Sequence, residues 1–351
     1  MEHESDHAMD HHLKTGRYSR QVILPFLGET GQQKLLGSKV ALIGCGALGT
    51  GIANNLVRAG VGHLKIFDRD YVELNNLQRQ TLFEERDVSE NLPKAVAAAK
   101  QLARVNSSVR IEPIVTDVNF TNVENLVKDA DLVLDGVDNF ETRYLVNDVC
   151  VKRGIPWVYG ACVASHGLVM PIDPGHTPCL RCAFPVPAPA GFSQTCDTAG
   201  VLNASSLMVA CLQTAEAIKY LSGNQSAWID GIFKIDVWTN QYSQFKIPRE
   251  EDCICCVKRN FEFLEGEEGL QLTSLCGRNA VQIIQKGVSG IELEKMAARL
   301  AQFGEVQFNK FLLKFSIAGY VLTLFPDGRA IIQGTSDSTT ARSLYAKYIG
   351  A

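Results

Sequence analysis

Two periods of apolar spacing run through the first three-quarters of the chain. Val40–Ile43 is a short apolar run ending at glycines, and Ala47–Ala59 behind it carries helical spacing. His63–Asp68 is a second strand and closes on an acid. Pro93–Asn106 is alanine-rich with helical spacing, Val109–Val118 alternates as a strand does, and Asn122–Lys128 reads as a short helix. Ala130–Asp135 is a buried strand, Phe140–Lys152 a helix, and Pro156–Cys162 and Gly167–Ile172 are strands. Asn203–Leu221 is a long apolar helix, while Trp228–Asp236 and Trp238–Ile247 form a strand pair joined at a tight bend. Strand and helix signals in alternation predict an α/β fold with a doubly wound, mostly parallel, Rossmann-like sheet.

The pattern changes at Phe261–Gly269, where Glu262, Glu265, Glu267 and Glu268 gather. Beyond it Ala280–Ile284 reads as a strand and Ile291–Phe303 as a helix. Val306–Ile317, Tyr320–Phe325 and Ala330–Gln333 read as strands, the last two turning at Pro326-Asp327-Gly328, and Ser338–Tyr348 closes as a helix. The expected organisation is a flexible tail over 1–16, a main domain over 17–260, a linker over 261–269 and a small α+β accessory domain over 270–351. A chain of 351 residues is long enough for a full core and such a second module.

Composition narrows the function classes. Apolar residues at 46% and charged residues at 21% describe an ordinary globular protein. A net charge of −4 gives no support for nucleic-acid binding through bulk charge. No apolar run approaches the length that spans a bilayer and the N-terminus is polar, so no membrane partner is expected and the protein reads as cytoplasmic. Eleven cysteines then point to metal ligands or reactive thiols rather than disulfides. His3, His7, His11 and His12 read as a solvated tail, with a metal site as the alternative.

The chemistry gathers at the first glycine turn. Gly44, Gly46 and Gly49 let backbone approach a phosphate at a helix N-terminus, and Asp68 stands where a carboxylate grips ribose hydroxyls. By themselves these residues also suit a dinucleotide oxidoreductase. Arg79, Lys94, Arg20 and Asp138 change the balance: arginines grip phosphate oxygens, a lysine neutralises one, and a carboxylate holds Mg²⁺. That set belongs to a nucleotide whose phosphates react.

The motifs Arg17-Tyr18-Ser19-Arg20-Gln21, Gly44-x-Gly46-x-x-Gly49, Asn76-Leu77-Gln78-Arg79-Gln80 and Asp135-Gly136-Val137-Asp138-Asn139 resemble the ThiF/MoeB/HesA adenylyltransferases. These are bacterial relatives of ubiquitin-activating enzymes, and the likeness runs from about Arg17 to Cys256. The resemblance implies that Asp68 and Asn76 help bind ATP, with Arg79 and Lys94 on its phosphates and Asp138 as the magnesium-linked catalytic acid. It implies a homodimer in which Arg20 reaches the site from the partner subunit. One departure is Asn91-Leu92-Pro93, where the family often has Gly-Gln-Pro before the lysine.

Cys179-x-x-Cys182 and Cys253-x-x-Cys256 form two widely separated pairs that suit a closed, structural zinc site; Cys255 is an alternative ligand. Their placement also matches the family. Cys196 stands apart in Ser193–Gly200, after the proline-rich run from Pro185 to Pro189, in a loop before a helix where a thiol can be nucleophilic. The family's matching cysteine forms a thioester or acyl-disulfide with the activated partner in some members, and a nonessential thiol is the other reading. Cys45, Cys150, Cys162, Cys211 and Cys276 read as small buried hydrophobes.

The expectation is an adenylyltransferase that uses ATP, Mg²⁺ and Zn²⁺. Its implied partner is a small ubiquitin-like sulfur-carrier protein with a Gly-Gly C-terminus, for thiamin-thiazole or molybdopterin synthesis, with a sulfur-donor protein as a further partner. Alternatives are the same fold activating a peptide or tRNA-base carboxylate, an NAD-dependent oxidoreductase, or a scaffold whose C-terminal module does the recognising. Cys276-Gly277-Arg278 lacks the glycine and arginine spacing of a sulfurtransferase loop.

Overall fold

In a computed structural model, residues 16–186, 199–265, 271–275, 279–284 and 290–349 are described. The chain divides into two compact units, Met1–Gly266 and Glu267–Ala351. The N-terminal histidines, Cys196, Cys276 and Arg278 lie outside the described residues.

The first unit is built on eight strands: β1 Lys39–Ile43, β2 His63–Asp68, β3 Arg110–Val115, β4 Leu132–Asp135, β5 Trp157–Val163, β6 His166–Ile172, β7 Ile232–Asp236 and β8 Gln241–Phe245. Their order is β3-β2-β1-β4-β5-β6-β7-β8. The pairs among β3, β2, β1, β4 and β5 are parallel, because each crossover carries a helix. β5 and β6 are separated by only Ala164 and Ser165, too short for a crossover, and from there the sheet is antiparallel through β8. The fold is therefore the expected Rossmann-like α/β sheet with an antiparallel extension.

Both faces of the parallel half are covered, which explains its continuous apolar runs. Ala41, Ile43, Val133, Trp157 and Tyr159 share one core cluster with Tyr144, Val146 and Val149 of the Phe140–Arg153 helix. The opposite face meets the Asn203–Leu221 helix, whose Gln213 packs directly over Gly160 of β5. That helix lies against Ala47–Ala59, and a Cβ on Gly51 would stand 2.8 Å from the Ala210 methyl. The sparse apolar spacing of Gly28–Gly37 does not predict the helix found there; Leu35 is its fully buried anchor.

The second unit holds an antiparallel sheet of order β11-β12-β13-β14-β10-β9. Its strands are β9 Gln271–Leu275, β10 Ala280–Ile284, β11 Glu305–Phe308, β12 Leu313–Ile317, β13 Tyr320–Leu324 and β14 Ala330–Gln333. Helices Leu293–Leu300 and Ser338–Tyr348 cover one face through Leu293, Leu300 and Tyr345 against Val281, Phe315, Leu322 and Ile332. The single strand expected over Val306–Ile317 is two strands of a hairpin. Asn309 breaks it, its Oδ1 accepting from the Phe311 and Leu312 amides at 2.8 and 3.0 Å. Cys211 is a second correction: it is exposed on the Asn203–Leu221 helix, where its Sγ accepts from Asn55 Nδ2 at 3.5 Å. Among the described residues no helix is long and apolar enough to cross a membrane.

The Gly51–Ala210 approach sets a checkable limit on packing. Gly51→Val is expected to cost about 1–3 kcal/mol through overpacking. Ala210→Gly in that background is expected to recover part of the loss, both read from urea denaturation midpoints.

Candidate nucleotide and zinc sites

Sheet order reverses between β1 and β4, so the crevice at their carboxyl ends is the place where such folds bind nucleotides. The chain leaves β1 through Gly44, whose φ of +88° is left-handed and whose added Cβ would lie 2.5 Å from the Gly136 carbonyl oxygen. A Cβ on Gly49 would fall 2.1 Å from the Gly44 carbonyl oxygen. Only glycine permits this three-way approach. Gly46 caps the Ala47–Ala59 helix with more room, its nearest neighbours being Gln80 Nε2 at 3.9 Å and the Gly136 oxygen at 4.0 Å.

Asp68 ends β2 beside this turn. Its carboxylate accepts from the Cys45 amide at 2.6 Å and from the Asp70 amide at 2.7 Å. Burial pushes its pKa up and the Lys94 ammonium pulls against that shift. Lys94 opens the Lys94–Val105 helix behind Pro93; it is buried, and its Nζ donates to Asp70 Oδ2 at 3.0 Å. Asn76 is buried in the Leu74–Asn76 turn, where its Oδ1 accepts from the Glu73 amide at 3.1 Å. Arg79 is half-buried and Nη1 donates to the Asn75 carbonyl at 2.8 Å.

Asp138 is exposed on the loop that follows β4. The next residue, Asn139, caps the Phe140–Arg153 helix by accepting from the Thr142 amide at 2.8 Å. Arg143, one turn on, holds the loop from beneath. Its Nε donates to Asp135 Oδ2 at 3.0 Å, and Nη2 donates to the Val137 and Gly160 carbonyls at 2.8 and 3.1 Å. Gln213 adds a bond from Nε2 to the Asp135 carbonyl at 2.8 Å. Sequence reasoning missed this support, although an arginine eight residues beyond a strand-ending acid was a visible signal. It also missed Arg69 and Asp70, the latter recurring two residues after Asp68.

Arg20 lies elsewhere in its own chain. It sits on the short turn Ser19–Val22, where neighbouring Gln21 donates from Nε2 to the Ala59 carbonyl at 2.9 Å and the Tyr18 ring lies over Gly60. Those contacts are at the C-terminal end of the Ala47–Ala59 helix, whereas Gly46 is at its N-terminal end. Thirteen residues at about 1.5 Å each separate the two ends by about 20 Å. The glycine turn, Asp68, Lys94 and the Asp138 loop are gathered around the β1–β4 edge; Arg20 is not.

The four cysteines converge. Sγ atoms of Cys179, Cys182, Cys253 and Cys256 all lie within 4.8 Å of one another. The Cys179–Cys182, Cys179–Cys253 and Cys182–Cys256 separations are 4.0, 3.6 and 3.6 Å. Sulfurs about 2.3 Å from a tetrahedral zinc stand about 3.8 Å apart, so the set fits that ion. Burial, then the neighbouring Cys253 and Cys182 thiols, push the Cys256 thiol up to about 11, a cost that a dication reverses. Cys255 is not one of these four, and its Sγ accepts from Asn147 Nδ2 at 3.1 Å. The same Asn147 accepts through Oδ1 from the Leu180 amide at 2.9 Å, tying both cysteine knuckles to the Phe140–Arg153 helix.

The ThiF family model matches residues 18–256. A sulfur carrier protein ThiS adenylyltransferase of Bacillus subtilis is 44% identical over 339 residues, covering 96% of this chain and 100% of that one. The chain belongs to the ThiF family. A sulfur carrier protein adenylyltransferase of Thermus thermophilus is 38% identical, covering 68% of this chain and 90% of that relative. Among solved structures, Escherichia coli MccB with MccA-N7isoASN superposes with a TM-score of 0.62 at 25% identity, covering 69% of this chain and 75% of MccB. The Bacillus match is long enough to run through most of the second unit, because Met1–Gly266 alone is shorter than the 339 aligned residues.

The cysteine geometry in this ThiF-family chain generates a metal test. Cys182→Ser is expected to abolish zinc retention in elemental analysis of the purified protein. It is also expected to destabilise the first unit by several kcal/mol, a fraction of the roughly 10–16 kcal/mol of zinc-finger peptides, in thermal denaturation.

Proposed function

We propose that this adenylyltransferase activates the C-terminal glycine carboxylate of a small ubiquitin-like sulfur-carrier protein, with ATP as the adenylyl donor. The observation that carries the reading is the glycine cradle at the β1–β4 edge with Lys94 buried beside it, in a chain similar over 96% of its length to a ThiS adenylyltransferase. A thiazole-type carrier is the favoured one, because that match includes the second unit. The curated relatives favour neither NAD-dependent oxidation nor activation of another carboxylate.

The chemistry needs no general base. A carboxylate is ionised at neutral pH, so its attack on the α-phosphate requires positioning and charge neutralisation. In this reading Asp68 and Asn76 hold the nucleoside, the Gly44–Gly49 turn admits the phosphates, and Arg79 and Lys94 neutralise them. Asp138, exposed on a loop that Arg143 holds in place, would bind Mg²⁺, which supplies further neutralisation of the phosphate oxygens. Zinc would be held by the four cysteines as a clip between distant segments. Cys196, outside the described residues, is the proposed site of a later covalent adduct with the activated carrier.

The distance of Arg20 from its own crevice supports a homodimer in which each Arg20 serves the partner's site. Mixing Arg20→Ala with Asp138→Ala protein is expected to restore part of the activity that each lacks alone, since mixed dimers contain one intact site. No restoration after verified subunit exchange overturns the shared site.

The direct test is ATP–pyrophosphate exchange with thiazole-type and molybdopterin-type carriers and a carrier-free control. Exchange is expected with the thiazole-type carrier, and Asp138→Ala is expected to lower it by about 10²–10³-fold. Absence of exchange with either carrier overturns the substrate assignment.

A further inference from the structure

We propose that Asp70 is the positioning residue for Lys94, fixing where the lysine's charge meets the triphosphate; the proposal rests on the nucleotide-site reading above.

Asp70 holds Lys94 at both ends. Its backbone carbonyl accepts from the Lys94 amide at 2.9 Å, and its Oδ2 accepts from Lys94 Nζ at 3.0 Å. The loops that carry the two residues are joined further along, with a bridge between Tyr71 and Pro93 and a bond from the Val72 amide to the Leu92 carbonyl at 2.9 Å. On its other side Asp70 donates its amide to Asp68 Oδ1 at 2.7 Å. Asp70 therefore links the carboxylate proposed for the ribose to the ammonium proposed for the phosphates.

The surroundings keep Asp70 in place. Arg69 Nε stands 3.9 Å from Asp70 Oδ1, while its Nη1 donates to Asp117 Oδ1 at 2.7 Å. The Lys94 and Asp70 side chains are 4% and 15% exposed, so water screens their attraction poorly. A lysine side chain carries about 2 kcal/mol of rotamer entropy. Spending that entropy before the nucleotide arrives leaves less ordering for the reaction itself.

The test compares wild type, Asp70→Asn, Asp70→Glu, Lys94→Ala and Asp70→Asn/Lys94→Ala, all as the full chain. Two assays are used: carrier-dependent ATP–pyrophosphate exchange, and direct binding of a fluorescent ATP analogue. Thermal unfolding shows that each variant is folded. Asp70→Asn is expected to lower exchange about 10–100-fold with the carrier KM unchanged. The double variant is expected to fall no further than Lys94→Ala alone, because a positioning residue has nothing left to position. Asp70→Glu keeps the charge but displaces the ammonium, so it is expected to be impaired as well. Penalties that multiply in the double variant overturn the proposal, as does Asp70→Glu or Asp70→Asn at the wild-type rate. If Asp70→Asn fails to fold, Asp70→Glu decides between positioning and simple neutralisation. If wild type binds the analogue but shows no exchange, the substrate reading fails, and non-additivity in analogue affinity still decides the Asp70 proposal.

Discussion

The close approach of two backbone turns governs the rest of the site. Gly44, leaving β1, and Gly136, leaving β4, come within a distance that no Cβ tolerates, and Gly49 closes the contact from the following helix. Because the two strands are neighbours at the point where sheet order reverses, their turns would otherwise splay apart. Holding them together places the N-terminus of Ala47–Ala59 and the Asp138 loop on one edge. Among the described residues, each part that the proposed chemistry uses, apart from Arg20, is hung on that edge or on the β2 loop beside it.

Buried polar contacts secure this edge from below. Asp135 and Arg143 are almost wholly removed from water, and burial pushes the Asp135 pKa up against the pull of the guanidinium. A buried ion pair is weak evidence for stability by itself, since desolvation offsets much of the attraction. Here the guanidinium also binds the Val137 and Gly160 carbonyls, so the pair's value lies in fixing a loop geometry. The cysteine cluster acts at a greater distance on the same helix. Asn147 and Asp148 of Phe140–Arg153 receive bonds from the Leu180 and Phe263 amides, anchoring the cysteine-bearing segments behind the helix that Asn139, Asp138's neighbour, caps.

Legibility followed the strength of the local signal. Ala47–Ala59, His63–Asp68, Asn203–Leu221, Ala280–Ile284 and Ser338–Tyr348 were read with their observed bounds, because apolar spacing and flanking glycines or caps agree there. Val306–Ile317 was misread because its apolar run continues through Asn309, and only the Asn309 side-chain bonds to Phe311 and Leu312 show the turn. Gln271–Leu275 was missed because an edge strand owes its existence to its pairing with Ala280–Ile284. The two C-x-x-C pairs and the glycine turn were legible as chemistry. That the pairs meet, and that Cys255 is left aside, required the fold.

The sequence by itself determined the α/β class, the family and the types of group available for phosphate chemistry, because each is carried by short motifs whose geometry is local. The tertiary structure decided which of those groups share a place. It set Lys94 against Asp70 rather than leaving it as a surface lysine, and put Arg143 under the Asp138 loop. It also put Arg20 a helix length away from the crevice of its own chain. Those outcomes depend on strand order and helix packing, which bring together residues far apart in the chain, and no local pattern encodes such distances.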